Sequence, residues 1–231
     1  MPPVDNMKII AVVPAFNEST VIDEIINGLK SRVSVIIVVD DGSSDNTGEI
    51  AREAGAIVVR HLVNRGQGAA LETGRRLALE YGADIILHFD GDGQHDPQDV
   101  SAMVGPIIEG RVDVVLGSRF LGSAIDLPLA RRLILRLAVL FTRFFSGLKL
   151  TDAHNGLRAM STRAARHLRL TYDGMAHASE FLDIMAEKKL NYLEAPVTVR
   201  YTPYSIKRGQ NSWNGLTIVY RLIIDKFFHK S

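Results

Sequence analysis

Phe89-Asp90-Gly91-Asp92-Gly93-Gln94-His95-Asp96-Pro97 is the segment around which this chain is organised. It follows an apolar run, residues 84–88, that is typical of a buried strand. Asp96-Pro97 predicts the start of a helix, because aspartate favours the N-cap and proline the first helical position. We therefore expect Asp90 and Asp92 at the end of a strand, with both side chains on the same side of the backbone.

Two neighbouring carboxylates repel each other unless a cation neutralises them. Mg²⁺ or Mn²⁺ takes oxygen ligands of this kind and keeps coordination positions free for a diphosphate. The same pattern also has a structural explanation, in which a strand end is followed by an acidic turn that caps a helix. Taken by itself, the segment leaves both explanations open.

Composition narrows the class of protein. The 231 residues include 27 Lys and Arg against 26 Asp and Glu, so the net charge of +1 indicates no nucleic-acid partner. No cysteine is present, which excludes a disulfide scaffold and a thiolate metal site. Met1–Asn6 lacks the features of a signal peptide, and no apolar run reaches the ~20 residues of a membrane span. We expect a protein that is soluble or lies on a membrane surface.

Residues 7–120 alternate apolar, strand-like runs with helical segments, and the predicted strands are Lys8–Pro14, Val35–Val39, Ala56–Arg60, Asp84–His88 and Val112–Leu116. This alternation predicts an α/β fold with an open, mostly parallel sheet and helices on both faces. Ligands of such sheets bind beyond the carboxyl ends of the strands. Gly66 and Gly68 follow one of these ends, where tight helix packing and phosphate contact explain them equally well, since neither dinucleotide nor Walker motif is complete.

Five segments of the chain occur in the order seen in one enzyme family: Pro14-Ala15-Phe16-Asn17-Glu18, Asp40–Thr47, Asn64-x-Gly66-x-Gly68-Ala69, Asp90–His95 and Gly117–Phe120. The chain resembles the family 2 glycosyltransferases, which have a Rossmann-like GT-A fold. Within that family it is similar to dolichyl-phosphate mannose synthase and to bacterial polyprenyl-phosphate glycosyltransferases. The resemblance covers nearly the whole chain, so we expect one domain over residues 1–231.

The resemblance implies a nucleotide pocket lined by Pro14, Ala15, Asn17, Glu18, Asp41, Gly66, Gly68 and Asp90. It also implies that Asp90, Asp92 and Gln94 hold Mg²⁺ or Mn²⁺ with the donor diphosphate, and that Arg119 approaches the phosphates or the acceptor. Asp41 itself could accept hydrogen bonds from a base or ribose, although turn formation and helix capping would also explain it.

Residues 121–231 are expected to form an acceptor-binding half with amphipathic helices. Leu129–Leu148 is strongly apolar, and Arg132, Arg136 and Arg143 fall on one helical stripe. This pattern fits a helix in the plane of a membrane interface, and equally a core helix with arginines that reach water, or a homodimer face. The resemblance favours the membrane interface, and it implies that Arg131 and Arg132 lie near the acceptor phosphate.

The segment Thr151–Ala159 is similar to the family pattern Asp-x-x-x-Gly-x-Arg, with Arg158 as the expected ion-pair partner of Asp152. Asp152 and Glu180 are the candidate catalytic carboxylates of this half. His177, three residues before Glu180, would share its helical face, and helix-start capping with solvation is the favoured explanation for this histidine.

The last part of the chain contains a predicted strand, Tyr192–Tyr201, and then a basic loop, residues 204–212, that would serve as a lid over diphosphate or simply as a solvated loop. Trp213–His229 predicts a second amphipathic helix. Many members of the family continue into transmembrane helices, whereas this sequence does not. We therefore expect peripheral attachment at the cytoplasmic face of the membrane, or a small membrane protein as partner.

The resemblance implies an inverting glycosyltransferase that moves a sugar from a UDP- or GDP-sugar to a polyprenyl phosphate. A phosphate acceptor is already anionic, so it needs cations more than a general base. The expected cations are Arg119, Arg131, Arg132, Arg200 and Arg208. Transfer to a sugar hydroxyl in polysaccharide assembly is the alternative, with Asp152 or Glu180 as base, and a catalytically inactive nucleotide-sugar-binding protein is a third hypothesis.

Overall fold

The computed structural model describes residues 7–153, 155–174 and 176–202, without the side chains of residues 130, 131, 134, 141, 144 and 145. The strands and helices are β1 (Ile9–Ala15), α1 (Ile22–Leu29), β2 (Val35–Asp40), α2 (Thr47–Glu53), β3 (Ile57–Arg60), α3 (Gln67–Glu80), β4 (Ile85–His88), α4 (Val100–Ile108), β5 (Val114–Ile125), α5 (Leu129–Ser146), β6 (Arg158–Ser161), α6 (Thr162–His167), α7 (His177–Glu187) and β7 (Tyr192–Arg200). The expected lid loop, Arg208 and the terminal amphipathic helix lie outside the described residues.

The strands of the described residues form one seven-stranded sheet in the order β3-β2-β1-β4-β6-β5-β7. Neighbouring strands are parallel, except that β6 runs antiparallel to both β4 and β5. The mostly parallel α/β sheet that the sequence predicts is therefore confirmed.

Both faces of the sheet are buried, and β1 shows why its sequence is continuously apolar. Ala11 and Val13 pack into one core with α1, α2 and α4. Ile10 and Val12 face the opposite core, which contains residues of α3, α6 and α7. Because successive side chains of a strand point to opposite faces, a strand covered on both sides needs apolar residues at every position.

The helix predicted to begin at Asp96-Pro97 starts with a 3-10 turn over Pro97–Asp99 that continues into α4. The Asp96 side chain accepts a hydrogen bond of 3.0 Å from the backbone N–H of Gln98, so the predicted cap is confirmed. The turn connects the segment that contains Asp90 and Asp92 to the start of α4.

The sequence did not predict β6 or α6. β6 has four residues, Arg-Ala-Met-Ser, too few and too mixed for a strand pattern. Its pairing with β4 and β5 inserts it into the middle of the sheet, where His88 stands opposite Arg158. This insertion brings the segment that precedes β6 directly behind the end of β4.

The expected nucleotide and acceptor halves share the sheet. The division at residue 120 falls inside β5, which pairs with β7 from Val114 to Ile125 with a register shift between Ser118 and Ser123. The organisation of the full chain as a single domain stays a prediction. Within the described ranges, no helix combines the length and the hydrophobicity needed to cross a membrane.

Candidate active site

Asp90 follows β4 and is held by one side chain from the start of α3 and one from its own loop. Gln67 Nε2 donates to Asp90 Oδ1 at 2.8 Å, and His95 Nε2 lies 3.2 Å from Asp90 Oδ2. Burial opposes the ionised form, but the hydrogen bond and charge of His95 and the charge of Arg158 outweigh it, so the pKa of Asp90 is lowered. The carboxylate is thus ionised and fixed in orientation.

Asp92 is the second carboxylate of the pair. Burial and the negative charge of Asp90 raise the pKa of Asp92 to about 6, while the backbone N–H of Gln94 donates to its Oδ1 at 3.0 Å. The two carboxylates offer hard oxygen ligands, and each makes ionisation of the other less favourable. Such a pair fits a divalent cation, whose charge would stabilise both in the ionised form. Among the described residues, no group of three or more aspartate, glutamate, histidine or cysteine side chains is arranged to hold a metal ion.

Two glycines allow backbone segments to close tightly around Asp90. A Cβ atom on Gly91 would lie 2.6 Å from the carbonyl oxygen of Pro14, at the end of β1. A Cβ atom on Gly156 would lie 1.9 Å from Asp90 Oδ2. Both distances are shorter than atomic contact allows, so a side chain at either position would force the neighbouring group to move. The end of β1 and the segment before β6 therefore form walls of the site.

The loop after β1 is fastened to the loop after β2. Asn17 has a positive φ of 55°, a conformation that asparagine tolerates better than most residues. Its N–H donates to Ser43 Oγ at 2.9 Å, and its Oδ1 accepts from the Ser44 N–H at 2.7 Å. The N–H of the buried Glu18 donates to Thr47 Oγ1 at 2.8 Å. Asn17 and Glu18 thus have a structural role, and their nucleotide contact stays a prediction.

Asp41 is buried and organises the glycine-containing loop. It accepts hydrogen bonds from the backbone N–H groups of Arg65 at 3.0 Å and Gly66 at 2.7 Å. His61 Nδ1 lies 2.6 Å from the same carboxylate, and His61 Nε2 lies 3.0 Å from Thr73 Oγ1 on α3. These contacts support the structural explanation of Asp41, and its contact with a base or ribose stays a prediction.

The start of α3 packs against residues 172–173. The N–H groups of Gly68 and Ala69 donate to the carbonyl oxygen of Asp173 at 2.8 and 3.2 Å. A Cβ atom on Gly68 would lie 2.0 Å from the carbonyl oxygen of Tyr172, and one on Gly66 would lie 2.5 Å from that of Asp173. Close packing therefore explains both glycines, while their contact with phosphate stays a prediction.

Asp152 is paired with Arg119 rather than with Arg158, which corrects the sequence-based expectation. Arg119 Nε lies 2.5 Å from Asp152 Oδ2, and its backbone N–H donates to the same oxygen at 3.1 Å. Arg119 Nη1 also donates to the hydroxyl of Tyr201. Burial lowers the pKa of Arg119, but Asp152 and Tyr201 outweigh this effect and raise it. The side chains of Arg119 and Asp152 are only 6% and 1% exposed, so the pair is enclosed.

Glu180 and His177 have structural contacts at the start of α7. The Glu180 carboxylate accepts from the backbone N–H groups of Thr171 and Tyr172, at distances of 2.9 to 3.0 Å. His177 is buried, and its Nδ1 lies 2.9 Å from the carbonyl oxygen of Gly174. Burial lowers the pKa of His177 to about 4. The expected solvation of this histidine is wrong, because the residue is only 4% exposed.

The arginines expected near an acceptor are distributed over different surfaces. Arg132 is exposed on α5. Arg200 ends β7, and its half-exposed side chain reaches Asp96 Oδ2 at 3.1 Å, beside the carboxylate segment. The side chain of Arg131 and the whole of Arg208 lie outside the described residues. Their roles stay predictions.

Sequence reasoning missed three residues that surround Asp90, namely Gln67, His95 and Arg158. Gln67 and His95 were inside the quoted segments, between the two glycines and directly after Gln94. Their position in those segments was the available signal. The local sequence indicates Arg158 only as a partner of Asp152, because nothing in it places β6 beside β4.

The structure is similar to a crystal structure of glucosyl-3-phosphoglycerate synthase from Mycobacterium tuberculosis in complex with Mn²⁺, UDP and phosphoglyceric acid. The TM-score is 0.69 at 22% identity, over 93% of this chain and 78% of that chain. This likeness confirms the predicted fold, that of the GT-A glycosyltransferases.

The model of glycosyl transferase family 2 matches residues 10–169. The chain belongs to glycosyl transferase family 2, and it is a glycosyltransferase. It is 41% identical to an uncharacterised protein of Methanocaldococcus jannaschii. The 226 aligned residues cover 96% of this chain and 93% of that protein. It is 36% identical over 238 residues to the UDP-N-acetylglucosamine–dolichyl-phosphate N-acetylglucosaminyltransferase of Methanococcus voltae, over 93% of this chain and 94% of that protein.

Proposed function

We propose that this chain transfers a sugar from a nucleotide-diphosphate sugar to a polyprenyl phosphate, with inversion at the anomeric carbon and with Mg²⁺ or Mn²⁺ as cofactor. The observation that carries the proposal is that the carboxylates of Asp152 and Glu180 both accept hydrogen bonds from other groups of the protein. The relative from Methanococcus voltae supports the acceptor class, because its name specifies a dolichyl phosphate.

Both carboxylates that the sequence offers as a general base already accept hydrogen bonds from the protein. Asp152 forms a buried ion pair with Arg119, and Glu180 accepts hydrogen bonds from the backbone N–H groups of residues 171 and 172. A hydroxyl acceptor would require one of them to remove a proton. A phosphate oxygen is already negatively charged, so it attacks the anomeric carbon directly while the diphosphate leaves with the electron pair of the broken bond.

On the donor side, Asp90, Asp92 and Gln94 would hold the metal ion. When bound, the ion would supply positive charge for the leaving diphosphate. Gln67 and His95 fix the Asp90 carboxylate in advance, so little reorganisation is needed when the donor binds. The fastened loops at Asn17 and Asp41 border the same edge of the sheet and would receive the nucleoside.

The acceptor's lipid chain requires contact with a bilayer, and the surface of α5 fits that contact. Four leucines of α5 are between 55% and 81% exposed: Leu129, Leu133, Leu137 and Leu140. Arg132, Arg136 and Arg143 are exposed on the neighbouring stripe of the helix. Apolar residues flanked by arginines fit an anionic membrane surface. We place this surface at the cytoplasmic face of the membrane.

Transfer from a panel of UDP- and GDP-sugars tests the proposal, with Mg²⁺ or Mn²⁺ and with or without a short polyprenyl phosphate. Product that requires both metal and lipid phosphate is the expected result, and the productive donor identifies the sugar. Asp92→Asn should fold normally and lose activity. Transfer to sugar hydroxyls without lipid phosphate would contradict the proposed acceptor, and full activity in EDTA would contradict the metal.

A further inference from the structure

Arg158 is a buried cation at the first position of β6, and it is 3% exposed. Its Nε donates to the carbonyl oxygen of Asn155 at 3.0 Å, and its guanidinium carbon lies 4.6 Å from the centre of the Phe181 ring. Burial and the neighbouring aromatic ring thus fix the guanidinium in one place.

Most buried charges in proteins are paired, because an unpaired one costs several kcal/mol. In the part of the chain that the structure describes, Arg158 forms no salt bridge, and Nε is its only hydrogen-bonded guanidinium nitrogen. Burial lowers the pKa of Arg158 to about 10, against the opposing effect of Asp90 and Asp152. The side chain therefore stays positively charged.

The sheet places this charge behind Asp90. Arg158 stands opposite His88 in the pairing of β4 with β6, and Asp90 lies two residues beyond His88. The backbone of Gly156 touches the Asp90 carboxylate. Asp152, the other nearby carboxylate, is already neutralised by Arg119.

We propose that Arg158 is a positioning residue of the donor site, whose buried charge offsets the negative charge that Asp90, Asp92 and a donor diphosphate bring together. The inference rests on the proposed donor site. One divalent ion balances the two carboxylates and leaves the diphosphate charge uncompensated. Arg158 supplies a further positive charge from behind Asp90, and it acts through Asp90 rather than by touching the donor.

Calorimetric titration of the protein with UDP, and separately with GDP, both in the presence of Mn²⁺, tests this role without relying on turnover. Arg158→Met removes the charge and keeps much of the side-chain volume, and it should weaken binding of the nucleotide that the wild type prefers by about tenfold. Arg158→Lys keeps the charge and should retain most of the affinity. Arg75→Met is the matched control, because Arg75 is similarly buried but paired with Glu72 on α3.

Arg158→Ala provides a second test that separates charge from packing. Guanidinium at a low, non-denaturing concentration should restore nucleotide affinity, whereas urea, which has the same planar shape but no charge, should not. Melting curves verify that each variant is folded, and Arg158→Gln replaces the Met variant if that one unfolds.

The positioning role is wrong if the neutral variants bind Mn²⁺ and nucleotide as tightly as the wild type. It is also wrong if the Lys variant loses as much affinity as the Met variant, or if urea restores binding as well as guanidinium does. Failure of the wild type to bind either nucleotide with Mn²⁺ is a different result, because it contradicts the proposed donor site itself.

Discussion

His88 should make the protein sensitive to acid, and His88→Leu should remove the part of that sensitivity that His88 contributes. The residue ends β4 and is 1% exposed, and within the described residues neither ring nitrogen has a hydrogen-bond partner. Burial, together with the positive charge of Arg158, lowers the pKa of His88 from its ordinary 6.5 to about 3. The folded protein therefore holds this ring in its neutral form.

The sign of the effect follows from proton uptake. Below pH 6.5 the unfolded chain protonates His88, whereas the folded chain does so only near pH 3, so the free energy of unfolding falls as the pH falls through this window. Between pH 7 and pH 5 the loss from this group is about 2 kcal/mol. Leucine has a similar volume and no polar atoms, so the variant should be about 1 kcal/mol more stable at pH 7 and about 3 kcal/mol at pH 5.

Urea unfolding followed by circular dichroism at pH 5, 6, 7 and 8 measures this difference. His167→Leu serves as the control, because His167 is exposed on α6 and its replacement should leave the pH dependence of the wild type in place. Parallel curves of unfolding free energy against pH for the wild type and His88→Leu would refute the reasoning, since they would show that His88 takes up no extra proton on unfolding.

Three further substitutions test other contacts. Gly156→Ala places a Cβ 1.9 Å from Asp90 Oδ2, and it should lower metal-dependent transfer roughly a hundredfold with little change in melting temperature; unchanged transfer would contradict it. Gly68→Ala places a Cβ 2.0 Å from the Tyr172 carbonyl oxygen and should lower the free energy of unfolding in urea by about 1–3 kcal/mol. A variant as stable as the wild type would show instead that this contact relaxes. Leu137→Asp should reduce co-sedimentation with anionic liposomes without destabilising the fold, and full sedimentation would contradict a role for α5.

Local sequence patterns predicted much of the fold because the buried strands have distinctive compositions. β1 and β2 are apolar at almost every position, as required when a strand is covered on both faces. The cap at Asp96 is likewise a local interaction, between a side chain and an N–H two residues away. Such features depend only on neighbours in the chain, so the sequence reveals them.

The contacts inside the site were harder to predict, because they join residues that are distant in the chain. Asp152 pairs with Arg119 across 33 residues, although Arg158 is much closer in sequence. Glu180 is a candidate base by residue type, but its carboxylate accepts hydrogen bonds from the backbone N–H groups of residues 171 and 172. Residue type indicates what a carboxylate can do, but its neighbours decide whether it is available.

The sequence by itself determined the succession of strands and helices, the carboxylate pair at the end of β4 and the resemblance to family 2 glycosyltransferases. Only the tertiary structure decided that β6 lies between β4 and β5, and hence that Arg158 lies behind Asp90. The physical reason is that strand order and register are set by the packing of the whole sheet, whereas four mixed residues carry no local signal of their place in it.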